Sequence, residues 1–107
     1  MKLMDEQIVY ALIDEWLKEF RKYTHHDLVL LMGHPQTKEV AGADGKKYQL
    51  EAEVFWDGKK GGDIRVIVMG DDGGWRAFKP LTSDFVMAPD GSFVGESSVA
   101  TNHLSSS

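Results

Sequence analysis

The sequence predicts an α+β fold: an N-terminal helix, with a short second helix after it, packed on one face of a curved antiparallel meander sheet. Three observations carry this. An apolar stripe with spacings of three and four runs through residues 5–23. Apolar and polar residues alternate from Lys46 to Lys79. Aspartate–glycine pairs then divide the second half of the chain into short segments.

The stripe consists of Ile8, Val9, Leu12, Ile13, Trp16, Leu17 and Phe20, with Asp14, Glu15, Lys18, Glu19, Arg21 and Lys22 mostly between them. Such spacing puts the apolar side chains on one side of a helix. Asp5 suits the N-cap, Glu6 the positive end of the helix dipole, and Arg21 and Lys22 its negative end. Thr24 and Asp27 have the spacing of a capping pair, and the apolar run Leu28–Met32 ends at Gly33 and Pro35. This reads as a short second helix rather than a buried strand, because glycine allows a left-handed exit and proline cannot continue a helix.

Beyond Gln36 the segments 37–41, 46–56, 63–70, 75–79, 84–88 and 92–95 have strand character. They are divided by Asp44-Gly45, Asp57-Gly58, Gly61-Gly62-Asp63, Asp72-Gly73-Gly74 and Pro89-Asp90-Gly91. Connections this short join antiparallel neighbours. Pairing Val54 with Val66 and Val68 with Ala77 collects Leu50, Ala52, Val54, Val66, Val68, Trp75 and Ala77 on one face, suited to the helix stripe. The other face then holds Glu51, Glu53, Phe55, Arg65, Ile67, Met69, Arg76 and Phe78. A slip of one residue would exchange the two faces. Residues 1–96 are expected to form one domain and 97–107 a polar tail.

A helix followed by an antiparallel meander is similar in layout to the cystatin-like and nuclear-transport-factor-like architectures, in which a curved sheet wraps a helix. Layout brings no function with it. Composition narrows the classes further. The chain has 107 residues, 42% of them hydrophobic, three tryptophans, a net charge of −5 and no cysteine. A core of ordinary size is expected; disulfides, thiolate catalysis and zinc–thiolate sites are excluded. The negative charge argues against nucleic acid as a partner, because phosphate backbones are held by clustered Lys and Arg. The N-terminus lacks the apolar core of a signal peptide, and no apolar run is long enough to span a bilayer. A soluble, cytoplasmic protein without membrane partners is expected.

Candidate chemistry is sparse. His25-His26-Asp27, with His34 beyond, invites a metal reading, but adjacent helical residues point about 100° apart and the positions three and four further on are Leu28, Val29 and Leu30. These histidines fit a helix start better than a metal site, and no metal or other cofactor is expected. Gly70-Asp71-Asp72-Gly73-Gly74 lacks the lysine and hydroxyl of a phosphate loop and the ligand spacing of a calcium loop, so it reads as a hairpin turn. Trp16, Trp56 and Trp75 read as core anchors. No serine has a recognisable base partner. Glu51 and Glu53 lie on one side of one strand, about 6–7 Å apart. They fit general acid–base work, or more simply ion pairs with Arg65 and Arg76 on neighbouring strands.

The mixed face is the best functional signal. Phe55, Ile67, Met69 and Phe78 beside two acids and two arginines make a surface that is usually covered. The expected function is a non-enzymatic binding or homodimerising module that uses this face, with a second copy as the expected partner and a small molecule or another protein as the others. One alternative is a small enzyme with a helix–sheet cavity, using Glu51 or Glu53 as acid or base. Another, resting on small size and acidity, is an immunity-type or antitoxin-like protein partner.

Overall fold

A computed structural model describes residues 6–71 and 80–94 of the chain. Two helices, α1 (Glu6–Phe20) and α2 (His25–Leu31), precede five strands: β1 (Gln36–Ala41), β2 (Lys47–Trp56), β3 (Ile64–Asp71), β4 (Leu81–Met87) and β5 (Phe93–Val94). The strands lie side by side in chain order, each antiparallel to the next. The result is an open meander with both helices on one face.

The apolar stripe of α1 sets how that helix sits. Val9, Ile13, Trp16, Leu17 and Phe20 are buried, and Ile8 and Leu12 pack at the margin. The helix lies against β3 and β4, whereas α2 rests on β2 and β3. Gly70 makes the close approach possible: a Cβ there would fall 2.8 Å from Leu50 Cδ2 and 2.9 Å from Val9 Cγ1. At the far end of α1, the Arg21 guanidinium stands 5.0 Å from the Phe85 ring centre and 5.9 Å from that of Phe93, tying the helix to β4 and β5.

Residues Thr24 and Asp27 form a complete capping box. The Asp27 N–H donates to Thr24 Oγ1 at 3.0 Å and the Thr24 N–H donates to Asp27 Oδ2 at 3.1 Å. Gly33 leaves the helix with φ of +79°. The chain thus resolves residues 25–31 as a helix with Met32 as its extended C-cap, for the reason its punctuation gives.

Strand phase follows the alternation. Tyr48, Leu50, Ala52 and Val54 of β2 face the helices and are at most 7% exposed, Trp56 is half-buried, and Ile64, Val66 and Val68 of β3 are fully buried beside them. Val54 stands opposite Val66, as the pattern predicts. Each large aliphatic side chain buried in this way contributes about 1.5–3 kcal/mol. The phenol of Tyr48 keeps its hydrogen bond by reaching the β1–β2 turn, where its O–H donates to Asp44 Oδ2 at 2.7 Å.

The partner of β3 differs from expectation. Val68 stands opposite Ser83, not Ala77, because β4 is the segment Leu81–Met87. Phe85 and Met87 face Val66 and Ile64 across that pair and are buried in the core. The expected strand 75–79, with Trp75, Arg76, Ala77 and Phe78, lies outside the described residues. So do the Asp5 cap, the Asp72-Gly73-Gly74 turn and the tail. The last expected strand, 92–95, is represented by Phe93 and Val94, which pair with Met87 and Val86.

Candidate functional site

The site is the sheet face turned away from the helices. Three cross-strand pairs form its centre: Glu51 opposite Met69, Glu53 opposite Ile67 and Phe55 opposite Arg65. These are six of the eight residues the alternation assigns to one surface, and β2 and β3 bring all six together. Arg76 and Phe78 lie outside the described residues. β4 adds Thr82, Asp84 and Val86, opposite Met69, Ile67 and Arg65.

The face is mixed in polarity and unevenly exposed, with Val86 of β4 only 3% exposed. Phe55 is 41% exposed, while Ile67, Met69, Glu51, Glu53 and Arg65 are half-buried by their neighbours. Neither helix touches it, since the inward residues of the same strands hold α1 and α2 on the other side.

Arg65 does not pair with the glutamates. Its Nε–H donates to Asp57 Oδ1 at 2.8 Å, Nη2 lies 2.8 Å from the same oxygen, and Nη1 donates to Asp84 Oδ2. The two aspartates, Asp57 foremost and then Asp84, hold the guanidinium even more firmly in its charged form. Sequence reasoning misses both. Asp57 is legible as a turn residue and Asp84 as the start of a strand, yet two acids flanking Arg65 across the strands compete better for it than the glutamates do.

The glutamates are therefore left to each other. Glu51 has its carboxyl pushed above the usual carboxylate range, first by desolvation, then by the charge of Glu53 and a hydrogen bond with it. Among the described residues, no cation pairs with either one. Glu51 sits at an open depression of about 180 Å³ beside Thr37, Met69 and Pro80. Glu53 and Phe55 border a larger groove of about 410 Å³, closed on its far side by Gly33, His34 and Pro35.

One expectation is corrected here and one is extended. The acid–base alternative places Glu51 or Glu53 in a helix–sheet cavity, but both project from the opposite face, and the helix–sheet space holds Val9, Ile13, Leu17, Leu28, Leu50 and Val66. His25 opens α2, as expected, and also anchors it: its Nε2–H donates to the Gly62 carbonyl oxygen at 2.9 Å, and its ring lies 6.0 Å from that of Trp56, fastening α2 to the β2–β3 loop. Among the described residues, no three His, Cys, Asp or Glu side chains gather where they could hold a metal ion, and no helix is long and apolar enough to cross a membrane.

No protein-family model, curated protein or solved structure matches this chain.

Proposed function

We propose that this protein is a non-enzymatic module that joins a second copy of itself through the outer sheet face. One observation carries the reading: Phe55, Ile67 and Met69 stand together on a face that neither helix covers. Strand spacing and rise give the four longer strands a face of roughly 19 by 25 Å, or about 500 Å² before side-chain relief is counted. With side-chain relief this approaches the roughly 600–800 Å² that each partner contributes to a modest specific interface. Two-fold homodimers are the commonest soluble assemblies, and a two-fold interface needs only one such patch per chain.

Arg65 is satisfied within its own chain, so the apolar trio supplies the adhesion and the glutamate pair opposes it by repulsion. Size-exclusion chromatography with light scattering tests this. A dimer is expected, and Ile67→Asp is expected to turn it into a folded monomer, because the substitution buries an unpaired charge at the centre of the contact. A chain that runs as a monomer with and without the substitution removes the proposal.

A further inference from the structure

We infer that the uncovered edge of β2 at residues 53–56 is a strand-addition site for an extended, cationic polypeptide segment. It adjoins the outer face, with which it shares Glu53, but it is made by the backbone edge of β2 and does not depend on the dimer.

The edge exists because β1 ends early. The last β1–β2 pair is Gln36 with Ala52, whereas β2 continues to Trp56. Three features stop β1 there. Pro35 has no N–H to offer a ladder. The amide of His34, the residue that would face Val54, donates instead to the Leu31 carbonyl oxygen at 3.0 Å. Gly33, with φ of +79°, turns the chain away. Between this segment and Glu53–Phe55 lies the groove of about 410 Å³, within the size range of ligand sites.

Backbone direction is set by the ladders on either side. The Gly42 N–H donates to the Lys46 carbonyl oxygen, so even-numbered residues of β2 turn their N–H and C=O toward β1. The Asp57 N–H donates to the Asp63 carbonyl oxygen, so odd-numbered ones turn toward β3. Val54 and Trp56 therefore aim their N–H and C=O groups at the vacated side, and among the described residues no backbone bond reaches them there. Unpaired strand edges of this kind accept an added strand.

Charge selects the occupant. Glu53 projects beside the edge with no cationic partner among the described residues. An antiparallel segment seated on Val54 and Trp56 places one of its residues directly opposite Glu53, in the closely spaced non-hydrogen-bonded position where Lys or Arg fits best. The register that engages both edge residues of a second copy is disfavoured by charge. Pairing Val54 with Trp56 of the copy sets Glu53 against Asp57 of the copy, twice over, and like charges in that position are unfavourable.

The test uses the full chain and a blocked Thr-Val-Lys-Val-Lys-Val-Thr peptide, followed by amide NMR and hydrogen exchange. Shifts and slowed exchange are expected at the Val54 and Trp56 amides. N-methylation of the peptide's valines should abolish binding, since their N–H groups face β2 when the lysines lie beside Glu53, while N-methylation of the lysines should leave it intact. Replacing the lysines by glutamates should weaken binding by about fivefold or more, and Glu53→Lys should reverse that preference. In Ile67→Asp the Val54 and Trp56 amides should still respond and valine methylation should still abolish binding, which separates the edge from the outer-face contact, while the preference for lysine should rise because the new acid stands opposite Glu53. The inference is overturned if the peptide leaves the Val54 and Trp56 amides unmoved, or if the valine-methylated peptide binds equally well. It is also overturned if those amides respond to protein concentration alone, which would make a second copy the occupant.

Discussion

The two faces of this sheet are built from the same strands, residue by residue in alternation, yet they follow different rules. On the inner face every described position of β2 and β3 from Tyr48 to Val54 and from Ile64 to Val68 is apolar and closed over by α1 and α2. On the outer face Glu51, Glu53 and Arg65 share the surface with Phe55, Ile67 and Met69, and the polar groups have sorted themselves into an arginine held by two aspartates and a glutamate pair with no cationic partner among the described residues. The outer face is mixed, which the proposed contact with a second copy would account for.

Truncating one residue on each face breaks or sharpens the comparison most strongly. Phe85→Ala removes a fully buried ring that meets Arg21 and Phe93. It should cost about 3–5 kcal/mol, a fall of more than about 12 °C in Tm for a chain of this size. Ile67→Ala, measured in dilute solution, should cost no more than about 1 kcal/mol. Thermal melts followed by circular dichroism decide it. Similar losses at both positions would mean that the outer face is a second core.

A smaller effect is expected at Glu51, and its pH dependence gives the sign. Because the folded chain raises this carboxyl, protonation favours the folded state: the contribution is fully present below the ordinary glutamate pKa and is lost as pH rises through the raised value. At neutral pH the wild type is therefore without it. Glu51→Gln should raise the neutral-pH Tm by at most a few degrees, and the advantage should vanish in acid, where the native carboxyl is protonated. A variant with the same advantage at every pH would remove the repulsion between Glu51 and Glu53 from the account.

Much of the inner face was legible in the sequence. The run Tyr48, Leu50, Ala52, Val54 permits only one phase against an amphipathic helix, and the Val54–Val66 pair follows from the short Asp57–Asp63 connection. The partner of Val68 was not legible, because 75–79 follows β3 directly and also has strand character, whereas the strand that pairs with β3 is Leu81–Met87. On the outer face, composition showed which residues share the surface but not how they pair. Asp57 and Asp84 reach Arg65 because the β2–β3 turn and the β4 register bring them there. The open edge at Val54 and Trp56 depends on where β1 stops. That is fixed by three residues, Gly33, His34 and Pro35, of which only the first and last carry a sequence signal.

The central claim is that Ile67 and Met69 look outward onto a surface reserved for a second copy, while Ile64 and Ile13 look inward. Methyl NMR with a soluble paramagnetic probe tests it directly across a protein dilution series. In dilute solution the Ile67 and Met69 methyl signals should broaden while those of Ile13 and Ile64 stay sharp, and on concentration the first two should become protected. Broadening of Ile64 together with Ile67, or of Ile67 and Met69 equally at every concentration, would contradict it.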